Sequence, residues 1–181
     1  SRIAMPEITI GLHPDVGGSW FLNRMPGRLG LFLGLTGANI NAADALFVGL
    51  ADRAISHEHK AVVMAELLVQ TQLDHAAVSA VLRQQQMVSD ILPVSTLREH
   101  FDQINALCDA DSLNQLYAQI TAYQGDDLLL QKAAATLAKG CVQTAWLVWE
   151  SQRRVRQMSL AEAFRMEWSM SVQCALHDDF R

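Results

Sequence analysis

The chain has 181 residues, enough for one substantial hydrophobic core. Half of it is apolar and only 18% is charged, and a net charge of −5 with no Arg/Lys run argues against nucleic acid as a partner. No apolar run reaches the length of a membrane span, no secretory signal is legible, and Cys108, Cys141 and Cys174 lack zinc-ligand spacing, so they read as free thiols in a reducing compartment.

In chain order, the first commitment is Met5-Pro6-Glu7-Ile8-Thr9-Ile10-Gly11-Leu12-His13-Pro14-Asp15-Val16-Gly17-Gly18. Proline fixes its own φ and pushes its predecessor into extended geometry, so the two prolines hold Glu7 and Asp15, eight residues apart, on committed backbone. Ile8-Thr9-Ile10 is β-branched throughout and predicts a short buried strand. Gly17 and Gly18 end the loop, where backbone can approach a ligand closely. Local physics leaves two readings open: a rigid pair of functional acids, or a turn cap at Glu7 and a helix cap at Asp15.

Residues 1–55 hold eight of the ten glycines and three of the four prolines. Gly17 to Met25 predicts a helix with Trp20, Phe21 and Leu22 packed inward, broken by Pro26-Gly27. Arg28 to Leu35 predicts a second helix ended by Thr36-Gly37. Asn41 is a good N-cap for residues 42–49, and 51–55 reads as a strand or extended return. From about residue 58 glycine nearly vanishes, and three- and four-residue apolar periodicity predicts helices over 60–71, 75–86, 96–109, 112–123, 126–139, 144–157 and 160–175. Asp74, Ser112 and Ser159 are candidate N-caps, and Ser159 with Glu162 has the spacing of a capping box. Gly125 and Gly140 separate neighbouring helices.

The first motif, followed by Trp20-Phe21-Leu22, resembles the crotonase (enoyl-CoA hydratase/isomerase) superfamily, and more closely its 3-hydroxyisobutyryl-CoA hydrolase branch. Hydratases of the superfamily usually carry Gly where this chain has Asp15. The block Leu35-Thr36-Gly37-Ala38, Ala43-Asp44-Ala45 and Gly49-Leu50-Ala51 is similar to the superfamily's helix-turn-helix. Ser159-Leu160, Met166-Glu167-Trp168 and His177-Asp178-Asp179-Phe180-Arg181 resemble the hydrolase branch again. The fold implied is mainly α: the C-terminal part of a crotonase-like α/β (ββα spiral) fold, with short strands near the start and then a helical region. Residues 1–57 would end the catalytic core, and 58–181 would form a helical lid or oligomerisation region. The Gly-rich oxyanion segment and most coenzyme A contacts would lie upstream of these residues, leaving this chain inactive by itself.

The resemblance implies hydrolysis of a short 3-hydroxyacyl-CoA, 3-hydroxyisobutyryl-CoA of valine catabolism above all, in the cytoplasm or, in a eukaryote, the mitochondrial matrix. Glu7 and Asp15 are the expected catalytic residues, and both acids with Gly17 and Gly18 would bind substrate. Thioester hydrolysis needs an attacking or water-activating group, which Glu7 could supply with its pKa raised by an apolar wall of Met5, Ile8 and Ile10. Asp15 would bind the 3-hydroxyl or share a proton with Glu7. No metal or cofactor is implied beyond the coenzyme A of the substrate; an acyl-CoA is the expected partner, with neither nucleic acid nor membrane, and the protein is expected to form a homo-oligomer. Coenzyme A is polyanionic, so its site needs a local basic patch, for which Arg153, Arg154 and Arg156 are one candidate and a solvated helix end the plainer reading. His57, Glu58 and His59 read as solvated surface, Trp146 and Trp149 as packing, His13 as a minor candidate, and His177-Asp178-Asp179 as a closing segment. Two alternatives remain: an enoyl-CoA hydratase or isomerase, and a non-catalytic helical interaction domain.

Overall fold

The computed structural model describes residues 2–86 and 92–177. Eleven α-helices are present among them: α1 (Gly18–Leu22), α2 (Leu29–Thr36), α3 (Ala42–Phe47), α4 (Lys60–Leu68), α5 (His75–Gln84), α6 (Thr96–Glu99), α7 (Phe101–Leu107), α8 (Leu113–Thr121), α9 (Leu128–Lys139), α10 (Val142–Arg154) and α11 (Leu160–Leu176). They fall into two compact units. Arg2–Ile40 with the chain from Thr96 onward makes the larger one, and Asn41–Ser95 the smaller. This division by compactness differs from the partition at residues 57 and 58, which follows composition: the glycine-rich stretch runs past Ile40 into a segment that packs with α4 and α5.

In the larger unit α2 is central, packing on α1, α7, α9 and α10. Seven of its eight residues are buried, so it is apolar all round, as a helix enclosed by others must be. Gly30 permits this closeness: a Cβ there would lie 1.8 Å from the Leu22 carbonyl oxygen of α1. α2 ends at Gly37 with φ 59°, as the Thr36-Gly37 signal predicts. Leu97, Ile104, Leu116, Ile120, Leu130, Leu137 and Val148 supply fully buried side chains from the later helices.

The smaller unit begins with a capping box. The Asn41 side chain accepts from Asp44 N–H, and Asp44 accepts from Asn41 N–H, each at 3.0 Å. The Ser95 hydroxyl donates to Asp44 at 2.8 Å, and Asn41 Nδ2 donates to the Val94 carbonyl at 2.8 Å, so the unit's two ends are tied together.

Several expectations change. Ile8-Thr9-Ile10 is not a strand: Glu7–Thr9 is a single 3₁₀ turn, and Ile10 is 42% exposed. The cause is local, because the Thr9 hydroxyl (2.7 Å) and N–H (2.9 Å) both donate to the Pro6 carbonyl, offering the backbone a turn in place of a ladder. Strand pairing among the described residues is confined to single bridges, Ile3 with Ile40 and Ile55 with Gln86. The helix expected over 96–109 breaks at His100, whose ring pairs with Asp127 at 2.9 Å. Of Trp20, Phe21 and Leu22 only Leu22 is buried, since a five-residue helix has one inward stripe; Trp20 lies under the Arg24 guanidinium, 3.5 Å from ring centroid to Cζ. Trp149 is buried but Trp146 is 51% exposed. The caps at Asp74, Ser112 and Ser159 are all in place, and Asp127 adds another.

Candidate active site

Glu7 opens the 3₁₀ turn, and that turn is pinned into the larger unit by its next residue. Ile8 is fully buried, and its carbonyl accepts the Cys141 N–H at 2.8 Å at the start of α10. The Glu7 carboxyl is half-buried, and its Oε2 is buried with no hydrogen-bond partner. Burial pushes its pKa up, a hydrogen bond from its own backbone pulls it part of the way back, and the negative charge of Asp15 raises it again. Such a carboxylate is more basic than an exposed one, with an oxygen that nothing in the described residues satisfies. Met5 and Ile8 are half-buried and buried, while Ile10, expected beside them as part of an apolar wall, is substantially exposed.

Asp15 stands at the turn into α1. Gly18 N–H donates to the Asp15 carbonyl at 2.8 Å, and two consecutive residues take positive φ: Val16 at 55° and Gly17 at 81°. For Gly17 this is unstrained. For the β-branched Val16, 77% exposed, it is an outlier, a conformation that costs on the order of 1–3 kcal/mol and persists only where surrounding contacts over-determine it.

The over-determining contacts come from α11. Glu167 is 2% exposed and accepts the Gly17 N–H through Oε2 at 2.7 Å, the Ser19 N–H through Oε1 at 2.9 Å, and the Ser19 hydroxyl. One turn along, Ser171 lies 3.1 Å from His13 Nε2, while His13 Nδ1 donates to the Pro14 carbonyl at 3.1 Å. His13, at 1% exposure, is thus a framework residue of this loop. Gln152 of α10 completes the frame, donating to the Ser19 carbonyl at 3.0 Å.

Sequence reasoning missed the role of Glu167. A signal was present: Ala163, Glu167 and Cys174 recur on the buried side of α11, and a glutamate in a core register needs donors. Gly17 and Gly18 have packing roles of their own. A Cβ at Gly17 would stand 3.5 Å from the Phe164 ring, and one at Gly18 would meet the Met5 methyl at 2.9 Å and Pro14 at 3.0 Å. Both N–H groups are taken within the protein, by Glu167 and Asp15.

Basic residues line two cavities of the larger unit. One, of about 390 Å³, has Arg28, Arg153 and Arg156 beside Trp149; the other, of about 810 Å³, has Arg2, Lys132 and Lys139 beside Thr9 and Gly37. Neither is lined by Glu7 or Asp15. Arg28 is already paired with Asp109, and Arg153 and Arg154 with Glu150. His57, Glu58 and His59 form an exposed turn, and among the described residues no three His, Cys, Asp or Glu gather as metal ligands. No helix of the described residues is long and apolar enough to cross a membrane. His177 is exposed after α11, and Asp178 and Asp179 lie outside the described residues.

The family profile described as Enoyl-CoA hydratase/isomerase matches residues 1–181. The chain belongs to that family. It is 34% identical over 182 residues to the 3-hydroxyisobutyryl-CoA hydrolase, mitochondrial, of Danio rerio, covering 98% of this chain and 46% of that protein. The human protein of the same name is 29% identical over 179 residues, with the same coverage. Among solved structures, a carnitinyl-CoA dehydratase from Mycobacterium thermoresistibile superposes with a TM-score of 0.86 at 30% identity, over 99% of this chain and 50% of that one. An enoyl-CoA hydratase from Rhodobacter sphaeroides 2.4.1 gives 0.75 at 31% identity, over 96% and 47%. The chain thus spans about half the length of the relatives it matches, and its mainly helical fold is the C-terminal part of the crotonase architecture.

Proposed function

We propose that the protein carrying this chain hydrolyses the thioester of a short 3-hydroxyacyl-CoA, with 3-hydroxyisobutyryl-CoA as the substrate the relatives' names favour. One observation carries the reading: a half-buried Glu7 carboxyl with an unpartnered oxygen and a raised pKa, beside a second acid on a rigid turn. Either Glu7 attacks the thioester carbonyl, displacing the coenzyme A thiolate and leaving a mixed anhydride that water then hydrolyses to free Glu7, or Glu7 takes a proton from a water that attacks the carbonyl directly. In both the carbon–sulfur bond breaks, the hydroxy acid leaves as its carboxylate, and the water supplies the proton with which coenzyme A leaves as the thiol. Asp15 accepts a hydrogen bond from the 3-hydroxyl, and Gly17 and Gly18 complete the substrate-binding turn, their missing side chains letting it pack closely on Phe164, Met5 and Pro14.

The tetrahedral oxyanion needs donors. The N–H groups of Gly17, Gly18 and Ser19 are committed within the protein, so the donors in this reading belong to the rest of the enzyme, and the 181 residues alone have no thioesterase activity. Residues 1–57 contribute the acidic end of the catalytic core. Residues 58–181 cover the site or join copies of the protein, which light scattering of the full-length enzyme resolves into monomer or oligomer.

The solved relatives named as a dehydratase and a hydratase favour a second reading, hydration or dehydration of an enoyl-CoA. Asp15 separates the two, since it matches a hydroxyl to be held, not one to be eliminated. The test is turnover of the full-length protein on 3-hydroxyisobutyryl-CoA against crotonyl-CoA, with free thiol as the hydrolysis signal. Thiol release from the first and not the second is expected. Glu7→Gln should lose that release while retaining substrate binding. Hydration of crotonyl-CoA without thiol release would replace the proposal by the second reading.

A further inference from the structure

We infer that Glu167 is the positioning residue for Asp15: from α11 it caps the first turn of α1 and so fixes the backbone that presents the Asp15 carboxylate to the substrate. This rests on the reading of Asp15 as the acceptor for the 3-hydroxyl.

α1 has five residues and no side-chain cap of its own; its N-cap is Gly17. A helix this short does not hold its first turn unaided, and its N-terminal N–H groups need acceptors. The two carboxylate oxygens of Glu167 supply them, Oε2 to Gly17 N–H and Oε1 to Ser19 N–H, with the Ser19 hydroxyl as a third donor. The cap comes from 150 residues away in sequence, so it fixes the turn in space as well as in local conformation. Upstream of Asp15 the same helix acts again: Ser171, four residues after Glu167, bonds His13, which bonds the Pro14 carbonyl. Asp15 and the strained Val16 are therefore gripped on both sides by one face of α11, and Asp15 itself is left half-exposed between the two grips.

The charge and the symmetry of a carboxylate both matter. A glutamine in its place offers one acceptor oxygen and one NH₂, and the NH₂ would face an N–H of Gly17 or Ser19. One end of the grip is lost while the volume is kept.

The experiment compares kcat/KM for 3-hydroxyisobutyryl-CoA with that for isobutyryl-CoA, which lacks only the hydroxyl, in the full-length enzyme. Asp15→Asn calibrates the ratio that depends on the hydroxyl. Glu167→Gln is expected to lower the same ratio about tenfold, the loss of one charge-assisted hydrogen bond, while kcat/KM for isobutyryl-CoA stays within a few-fold. In the double variant the ratio should fall no further than in Asp15→Asn alone. Equal losses on both substrates would show a merely structural carboxylate and overturn the inference. A ratio that falls in Asp15→Asn but not in Glu167→Gln overturns the inference and leaves the reading of Asp15 standing. A ratio unchanged by Asp15→Asn overturns that reading and this inference with it. If Glu167→Gln does not fold, Ser19→Ala decides, because it removes one donor to Glu167 while keeping the buried carboxylate. A lowered ratio supports the inference, and an unchanged ratio overturns it.

Discussion

Burial raises the pKa of Glu7, and the negative charge of Asp15 raises it further. As nucleophile or base Glu7 must be ionised, so activity falls as pH drops through its folded-state pKa. The acid limb of kcat/KM should therefore lie above the ordinary glutamate value of 4.5. Asp15→Asn removes the charge contribution and leaves the larger burial contribution, so the limb should move to lower pH without reaching the ordinary value. A limb that stays in place in Asp15→Asn would mean that the two acids are not electrostatically linked during turnover.

The same shift has a consequence for stability. A carboxyl whose folded pKa is raised contributes stability that is fully present below its unfolded pKa and is lost as pH rises through the folded one. At neutral pH, then, ionised Glu7 is held in the fold at a cost. Glu7→Gln should stabilise the protein at pH 7, and that gain should disappear near pH 4. Denaturant midpoints of both forms at the two pH values give the comparison, and a gain that is the same at both would argue against burial as the cause. A variant that is more stable and inactive has the pattern expected of a site kept against its folding preference.

What the sequence made legible was local. The caps at Asn41, Asp74, Ser112 and Ser159 were readable because a cap is a contact with a residue two or three positions on. The acids at positions 7 and 15 stood out because two prolines committed the backbone around them. Ile8-Thr9-Ile10 was misread because β propensity describes a residue with a partner strand, and here the Pro6 carbonyl captured Thr9 first. Glu167 stands within the Met166-Glu167-Trp168 motif but its role is hidden in the sequence, because its partners lie some 150 residues away. The two compact units were equally hidden, since Asn41–Ser95 interrupts segments that pack together.

Cys108 offers a measurement independent of function. It is fully buried, and burial pushes its thiol up to about 12, with Arg28 opposing. The thiolate is the reactive form, so Cys108 should resist thiol reagents at pH 8 in the folded protein and react on unfolding. Half-exposed Cys141 should react first. The folded pKa is raised, so the thiol's contribution to stability is intact below about 9.0 and is lost as pH climbs towards about 12. Stability should fall across that window, and less so in Cys108→Ala. Modification of Cys108 as fast as Cys141 in the native protein would contradict its placement in the core.

Gly30 tests how closely the site is built on the core. A Cβ there would stand 1.8 Å from the Leu22 oxygen and 2.4 Å from the Leu22 carbonyl carbon, both backbone atoms of α1 that no rotamer change can move aside. Gly30→Ala must push α1 away from α2, at a cost of about 3 kcal/mol or more, the upper end of overpacking penalties. The control is Gly49→Ala, where nothing lies within 4 Å and the only penalty is the positive φ of 76°, roughly 1–2 kcal/mol. Because α1 begins at the turn that carries Asp15, Gly30→Ala should also lower activity per folded molecule, measured well below the unfolding temperature. Gly49→Ala should leave that activity unchanged. If both substitutions cost the same stability, and Gly30→Ala retains full activity once folded, the contact between α1 and α2 does not support the acidic turn.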